Sequence, residues 1–424
     1  MQLNKETFVT GFALFSMFFG AGNLILPPNL GIKSGDLWLW VSIGFIISAV
    51  IIPILGIIAH ARLQGTLFDF GKKVSPLFSY IYCIIIYCIS IVLPSPRTAS
   101  VTHEMAIAPF LGTPSWLTSS IYFALVLFFV LNRNKIVNVL GKFLTPIIFL
   151  VILSIIFIGI FSTHTPMNPS IFDTPLVNGI LEGYQTFDAI GAVVVGGVII
   201  ISVKTKYDTD YNANKKLIRS AGMIAGIGLL VIYTGMIYTG ALYNSFFDTQ
   251  ISRTELLQGL SFETLGAIGR VGLSVLVALA CFTTAVGIVT GTSDFMKSFF
   301  GNSQRAYVIT AIIGCLLGVI VGQFDVHHII VIAIPALMFL YPVTIVLIIL
   351  NILPERLSAP VVFRSVVFIT ILFSALDFFV AIGYEGFVQP ILEILPLGSY
   401  NFAWIFPVII TFAVTNIFFK GKNK

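Results

Sequence analysis

The sequence predicts an all-α integral membrane protein. Hydrophobic residues make up 57% of its 424 residues, and Asp, Glu, Lys and Arg only 10%, against an ordinary charged share of about 25%. The apolar runs are continuous and lack the alternation of outer-membrane strands, so helices are the spanning structure that satisfies its own backbone hydrogen bonds. Mean hydropathy is +1.02. This composition excludes a soluble enzyme, a nucleic-acid-binding protein and a disordered protein.

Twelve segments are expected to span the membrane, because a hydrocarbon core of about 30 Å requires roughly 20 apolar residues in each helix. Ten of the twelve contain no Asp, Glu, Lys or Arg. The first is longer than the apolar region of a signal peptide, so we expect it to be retained. The segments are 8–28, 37–58, 76–94, 116–131, 143–161, 176–202, 220–244, 271–293, 307–324, 329–350, 365–384 and 402–419.

Basic residues lie mainly on one side of these spans. Counted by alternating loops, 19 of the 23 Lys and Arg residues fall on the side of the N-terminus. Such an excess marks the cytoplasmic side, so both termini are predicted to be cytoplasmic. The outer loop 245–270 has a helical pattern and is predicted to form a short helix or lid. The four basic residues on the outer side are Lys33, Arg97, Arg253 and Arg270.

The middle of the first span carries an unusual run, Gly20, Ala21, Gly22 and Asn23. Each glycine lowers helix stability by about 1 kcal/mol relative to alanine. Backbone groups freed at that depth are tolerated where they line a cavity or bind something. The alternative is that the glycines only allow close helix packing.

The sixth span contains two carboxylates, Glu182 and Asp188, among several glycines. A carboxylate in the middle of a membrane costs about 2.5–3.5 kcal/mol, so it is expected to be functional or paired. A structural salt bridge or a helix cap is the alternative for Asp188. Glu182 lies closer to the outer surface, which its side chain can reach.

Spans one and six each open a set of five spans, 8–161 and 176–350. Because five is odd, the second set enters the membrane from the opposite side. Paired interrupted helices at corresponding positions indicate a secondary transporter with inverted repeats and a site near the midplane. We therefore expect a transporter core over residues 1–350, followed by two additional helices and a cytoplasmic tail over 351–424.

Helix ends at such a break select the ligand by charge. Free N–H groups suit a carboxylate and free carbonyls suit an ammonium or a metal cation, so two broken helices together suit a zwitterionic amino acid without charged side chains. In span eight, the hydroxyls of Thr283 and Thr284 and the carbonyl of Ala280 share one helix face. These oxygens suit a hard monovalent cation. The alternative is that the threonines only bond the carbonyl four residues earlier.

Three stretches of the sequence match a known pattern: 15–25 with Pro27 and Pro28, 183–189, and 280–287. Through them the chain resembles the branched-chain amino acid transport system II carrier family of bacterial cation symporters, within the amino acid, polyamine and organocation superfamily. The resemblance implies uptake of leucine, isoleucine and valine across the bacterial inner (cytoplasmic) membrane, coupled to sodium or, in some members, to protons. It also implies a five-plus-five inverted-repeat fold.

The resemblance also implies roles for individual residues. The amides of Gly20, Ala21 and Gly22 would receive the substrate carboxylate, and the carbonyls of Thr186 and Phe187, with Asp188, would face the ammonium. Phe18, Phe187 and Ile190 would form the walls of an apolar pocket, which separates leucine, isoleucine and valine poorly because one methylene is worth only about 1–3 kcal/mol. Sodium would be bound by carbonyls of Ser16, Phe19 and Ala280 and by hydroxyls of Thr283 and Thr284, and Asn23 stands where some relatives place a ligand for a second sodium.

Other functions are weighed against this prediction. A proton-coupled symporter of broader apolar specificity would use Asp188 or Glu182 as the titrating group. A channel would need filter-like loops or rings of one charge, and an integral-membrane enzyme would need clustered polar groups, whereas the five histidines are scattered. The expected partners are the amino acid, the coupling ion and membrane lipid, without nucleic acid or another cofactor. Asp377, outside the repeat, is interpreted as a structural or assembly contact.

Overall fold

The computed structural model describes residues 5–132, 135–162, 166–207 and 210–419. All regular secondary structure in these ranges is helical, and short π-helical turns at Ile47–Ile51 and His103–Ile107 join consecutive helices. The α-helices are α1 Lys5–Phe18, α2 Ala21–Leu24, α3 Leu26–Ser34, α4 Trp38–Ile46, α5 Ile52–Leu63, α6 Leu67–Gly71, α7 Pro76–Val92, α8 Pro94–Thr102, α9 Ala108–Leu111, α10 Ser115–Asn132, α11 Lys135–Phe161, α12 Pro175–Tyr184, α13 Asp188–Tyr207, α14 Tyr211–Leu242, α15 Arg253–Phe299, α16 Gln304–Val321, α17 Val326–Ile352, α18 Pro360–Ala381, α19 Glu385–Ile394 and α20 Ile405–Phe419.

A helix or a broken helix lies at each of the twelve predicted positions, which confirms the helical membrane fold. Within the described residues, nine helical segments are long and apolar enough to cross a membrane, or ten when the bent pair Pro175–Tyr184 and Asp188–Ile200 is counted as one span. The first predicted span falls outside that count because it is interrupted after Phe18. The last predicted span also falls outside that count, because its apolar helix, Ile405–Phe418, is too short.

Local sequence signals explain where many of these helices begin. Ser75, Ser252, Ser303 and Asp325 each accept a hydrogen bond from the backbone N–H three residues later. Such caps satisfy one of the N–H groups that a helix start leaves without a partner. Proline occupies the first position of α7, α8, α12 and α18, where its missing N–H costs nothing.

The third span differs from the prediction. It continues past residue 94 through α8 to Leu111, as one segment of 36 residues. Pro94 does not end the helix, because it stands at the first position of α8. Arg97, predicted to lie in an outer loop, is therefore helical, and only 4% of its surface is exposed. The prediction that Arg97 lies in a loop was wrong.

The segment after α14 contains the predicted outer helix. α15 starts at Arg253 and runs to Phe299, with a kink at Gly266, whose φ of 71° is in the left-handed region. Glycine adopts this conformation without the steric cost that other residues meet. The kink separates a short helix, residues 253–265, from the span that carries Thr283 and Thr284.

The core is built around α14, which packs against α1, α3, α4, α5 and α11. Tyr233 of α14 and Phe45 of α4 stack edge to face, with ring centroids 5.3 Å apart. Both side chains are fully buried. Aromatic pairs of this geometry add stabilisation beyond the area that they bury. This packing holds the first and second spans against the same helix.

Glycines permit the close crossing of α4 and α12, which brings the sixth span against the second. A Cβ on Gly44 would overlap the carbonyl oxygen of Leu176, and a Cβ on Gly179 would overlap the carbonyl oxygen of Val41. Because the obstacle is backbone, no side-chain rotation can relieve it. The contact is therefore possible only with glycine at both positions.

Substitution of Gly179 by valine is expected to destabilise the protein by about 1–3 kcal/mol or more, because overpacking forces the backbones apart. The measurement is the melting temperature of the purified protein in detergent. Gly386→Ala in α19 is the matched control, since a Cβ there would meet nothing within 4 Å. Equal melting temperatures for Gly179→Val and the wild type would contradict the close crossing.

The last two spans pack beside the core rather than within it. α18 contacts α17 and α20. Asp377 of α18 is 1% exposed, and its Oδ1 accepts a hydrogen bond from the backbone N–H of Ala403 at 3.4 Å. This carboxyl lies where α18 meets the segment that leads into α20.

Candidate functional site

The first span is interrupted between Phe18 and Ala21. Gly20 is extended, with φ −75° and ψ 139°, and its N–H donates to the carbonyl of Phe18 at 2.7 Å. The helical hydrogen bond from Gly20 to the carbonyl of Ser16 is therefore not made. The predicted glycine break is present, and it leaves a backbone oxygen of the first span without its usual helical partner.

The sixth span is interrupted at residues 185–187, where the two helices meet at 41°. Phe187 has φ 60°, a left-handed conformation that costs a bulky residue about 1–3 kcal/mol and clusters at functional sites. The Phe187 carbonyl accepts the N–H of Gly191 at 2.7 Å. The Thr186 hydroxyl donates to Gly183 and accepts the N–H of Asp188. These bonds hold the break in one shape.

The two interruptions are joined through Asp188, which is 3% exposed. Asn23 Nδ2 donates to Asp188 Oδ1 at 2.8 Å, and the Tyr233 hydroxyl donates to Asp188 Oδ2 at 3.1 Å. Each carboxylate oxygen thus has one donor, from α2 and from α14. Hydrogen bonds to a buried charge are what make its burial tolerable.

Arg97 supplies a positive charge on the other side of Asn23. Its Nη2 donates to Asn23 Oδ1 at 3.1 Å and its Nη1 donates to the Gln185 carbonyl at 2.7 Å. The guanidinium carbon lies 5.5 Å from the centroid of the Phe187 ring. A charged side chain therefore takes part in the site, contrary to the expectation that helix ends alone would supply its charge.

A cavity of about 160 Å³ lies at the crossing of the interrupted helices. Its walls come from the first, third, sixth and eighth spans, and they are largely apolar. Ala21 and Gly22 lie in α2, next to this cavity along the chain. Of the predicted substrate and cation residues, Phe18, Gly20, Asn23, Thr186, Phe187, Asp188, Ile190 and Thr284 line it.

The predicted cation ligands of α15 lie together. The hydroxyls of Thr283 and Thr284 each donate to the Ala280 carbonyl at 2.9 Å. The bond of Thr284 is the one that the structural alternative predicts, to the carbonyl four residues earlier, whereas Thr283 bonds the carbonyl three residues earlier. A hydroxyl that donates its hydrogen keeps its lone pairs, so both oxygens can still coordinate a cation. A Cβ on Gly20 would lie 3.9 Å from Thr284 Oγ1, which places the break of the first span beside this threonine.

Two residues of the predicted cation set lie in the interrupted first span. The Ser16 hydroxyl bonds the Thr145 hydroxyl of α11 at 2.7 Å, so its side chain faces the fifth span. Phe19 is 4% exposed and stacks on Phe15. The sodium ligands predicted from Ser16 and Phe19 are their backbone carbonyls. These side-chain contacts do not involve the carbonyls.

An ion pair joins the start of α15 to the predicted outer end of the sixth span. Arg253, at the start of α15, contacts Glu182 of α12 at 3.2 Å, with side chains 13% and 25% exposed. Arg253 Nη1 also donates to Gln185 Oε1 at 3.0 Å. The predicted lid helix is thereby fastened to the interrupted sixth span, and Glu182 is paired.

Replacement of Glu182 and Arg253 by glutamine, singly and together, is expected to show a coupling of about 0.5–1 kcal/mol, because the pair is partly solvated. Each purified protein is unfolded in an increasing concentration of denaturing detergent. This gives the free energies of unfolding of the wild type, the two single variants and the double variant. Additive losses, with no coupling, would show that the pair contributes nothing to closing the lid helix over the break.

Residues 3–422 match the family described as branched-chain amino acid transport protein. The chain belongs to this family. It is accordingly a membrane transporter rather than an enzyme. It is 34% identical to the branched-chain amino acid permease BraB of Bacillus subtilis, over 99% of this chain and 97% of that protein. It is 32% identical to the branched-chain amino acid transport system 2 carrier protein of Pseudomonas aeruginosa, over 94% and 93% of the two chains.

Two solved structures are similar to this transporter in fold. The inward-facing conformation of Mhp1 matches with a TM-score of 0.60 at 11% identity, over 97% of this chain and 90% of that one. A manganese transporter of Eremococcus coleocola matches with a TM-score of 0.56 at 15% identity, over 97% and 94%. At these identities the likeness concerns the fold alone.

Two residues of the candidate site were not found by sequence reasoning. Arg97 follows a run of serine and proline that is typical of a loop, and only its charge within an apolar neighbourhood could have drawn attention to it. Tyr233 lies in an ordinary apolar span, and nothing local distinguishes it from a packing aromatic. Both reach Asp188 or its partner Asn23 only through the packing of distant helices.

Proposed function

We propose that this transporter imports leucine, isoleucine and valine by symport with sodium, by alternating access around the cavity between the interrupted first and sixth spans. The observation that carries the proposal is the meeting of the two breaks at Asn23 and Asp188, beside an apolar cavity. The names of the two relatives support the substrate class.

The substrate's charged groups fit the polar end of the cavity. The first amides of a helix have no intrahelical partner, so those of Ala21 and Gly22 receive the carboxylate. The predicted amide of Gly20 already donates to the Phe18 carbonyl and would have to exchange that bond to take part. Asp188 and the Thr186 carbonyl face the ammonium, with the Phe187 carbonyl behind them. Phe18, Phe187 and Ile190 are buried apolar walls that admit a branched side chain and exclude polar ones.

Sodium would be held where the first and eighth spans approach each other. The donor set is the Ser16, Phe19 and Ala280 carbonyls with the Thr283 and Thr284 hydroxyls, which are the oxygens a hard cation prefers. The missing helical bond to the Ser16 carbonyl and the clustering of the three α15 oxygens support this assignment. Both termini would face the cytoplasm of a bacterium, with the sodium gradient directed inward.

Uptake of labelled leucine into proteoliposomes tests the proposal. An imposed inward sodium gradient is expected to drive accumulation, and unlabelled valine and isoleucine are expected to compete, whereas alanine and lysine are not. Accumulation that survives replacement of sodium by choline would refute sodium coupling. Absence of leucine accumulation under any gradient would refute the symporter.

Proton coupling is the second candidate, favoured by one observation. Asp188 lines the cavity and is buried between neutral donors, Asn23 and Tyr233. A carboxyl in this position could carry a proton with the substrate. Accumulation driven by an imposed proton gradient in sodium-free buffer, and lost in Asp188→Asn, would select this candidate over sodium.

A further inference from the structure

Arg97 and Asp188 are buried opposite charges at one end of the cavity, and no direct ion pair joins them among the described contacts. The side chain of Asn23 lies between them: its oxygen accepts from Arg97 Nη2 at 3.1 Å and its nitrogen donates to Asp188 Oδ1 at 2.8 Å. The same nitrogen faces the Phe18 carbonyl at 3.3 Å. The orientation of the amide is set by its neighbours, because a guanidinium only donates and a carboxylate only accepts.

This arrangement has the polarity of an amino-acid head group. The carboxamide presents a partly negative oxygen to the guanidinium and a partly positive nitrogen to the carboxylate. An α-amino acid presents a carboxylate and an ammonium in the same sense, separated by one further bond. Full charges form stronger hydrogen bonds with Arg97 and Asp188 than a neutral amide does.

Resting on the proposed function, we propose that Arg97 is a substrate-binding residue, whose guanidinium holds the carboxylate of the amino acid while Asp188 holds its ammonium. Arg97 and Gly20 both line the cavity, and α8 packs against α2. A carboxylate in the cavity can therefore reach the guanidinium of Arg97 beside the break of the first span. A guanidinium offers five donors, and two of them are used by Asn23 and Gln185.

The assignment also accounts for the position of Asn23. Asn23 Oδ1, the predicted ligand for a second sodium, is bonded to Arg97. A fixed positive charge at this oxygen disfavours a second cation there by electrostatic repulsion. The guanidinium thus provides a positive charge at Asn23 without a second ion.

Two ligands separate carboxylate recognition from a structural role. Leucinamide keeps the side chain and ammonium of leucine but lacks its carboxylate. Isothermal calorimetry on the purified protein at fixed sodium gives the affinity for each ligand. The wild type is expected to prefer leucine by about tenfold to a hundredfold, the value of a charge-assisted bidentate contact. In Arg97→Gln, leucine affinity is expected to fall by that factor while leucinamide affinity changes less than about threefold.

Arg97→Lys is the second variant, and it keeps the charge without the planar fork. Its preference for leucine is expected to lie between those of the wild type and Arg97→Gln. Arg364→Gln is the matched control, because that exposed arginine bonds only the Val74 carbonyl among the contacts described; both affinities should stay within about twofold of the wild type.

Several outcomes would overturn the proposal. Equal losses for leucine and leucinamide in the Arg97 variants would assign Arg97 a structural role, and a wild-type preference near one would refute carboxylate recognition even if Arg97→Gln fails to fold. If the wild type accumulates leucine in proteoliposomes, such results overturn the role of Arg97 alone. If it neither binds nor accumulates leucine, the proposed function fails with it.

Discussion

Asp188→Asn is expected to lower the initial rate of leucine uptake about a hundredfold or more. Asparagine has nearly the same shape, but its amide nitrogen would face Asn23 Nδ2 or the Tyr233 hydroxyl, both of which donate in the wild type. The charge of Arg97 would also lose its compensation, and the substrate ammonium would lose its charged partner. A hydrogen bond to a charged group is worth about 1.5–3 kcal/mol, and each 1.4 kcal/mol is tenfold in an equilibrium constant. Uptake is measured in proteoliposomes per molecule of monodisperse protein.

Asp377→Asn is the control for this prediction. Asp377 is also a buried carboxylate in a membrane helix, and its Oδ2 has no hydrogen-bond partner within the described part of the chain. It lies at the contact of α18 with α20, so its neutralisation is expected to change uptake by less than about twofold. A large loss in Asp377→Asn, or a normal rate in Asp188→Asn, would contradict the separation of the two carboxylates into structural and functional groups.

Thr284→Val is expected to raise the sodium concentration for half-maximal uptake about tenfold or more. Valine keeps the volume of threonine and removes the hydroxyl that lines the cavity and lies beside Gly20. An interaction of a polar group with a charge is worth about 1.5–3 kcal/mol, or roughly one to two factors of ten. Leucine uptake rates across a sodium series measure the change.

Thr370→Val is the matched control for the cation site. Its hydroxyl bonds the carbonyl of Val366 four residues earlier, in the same way that Thr284 bonds Ala280, but it lies in α18. Sodium dependence should therefore be unchanged. If Thr284→Val and Thr370→Val behave alike, the threonines of α15 serve only their own helix, and the sodium site must be sought elsewhere.

Much of the fold follows from local properties of the sequence. Hydropathy placed helices at all twelve predicted positions, because burial in lipid depends on the composition of each segment. The breaks at Gly20 and near Asp188 were also predicted, since glycine and an isolated carboxylate weaken a membrane helix wherever it packs. The third span was predicted too short, because Pro94 and the polar residues after it resemble a helix end.

The candidate site was predicted only in part. Phe18, Asn23, Asp188 and Thr284 lie at one cavity as expected, because they follow from the position of the breaks and of the eighth span. Arg97 was assigned to the wrong environment, and it is the residue that changes the chemistry most. Its charge converts a site made of helix ends into one that also contains a buried pair of opposite charges.

The class of protein, the positions of the helices and the places where two of them are interrupted follow from the amino-acid sequence alone. Each of these depends on the solvation and backbone freedom of a short segment. Only the tertiary structure decided that Arg97, Asn23, Asp188 and Tyr233 form one hydrogen-bonded group. Their contact depends on the rotation and tilt of helices far apart in the chain, which are set by packing such as the glycine crossing of α4 with α12.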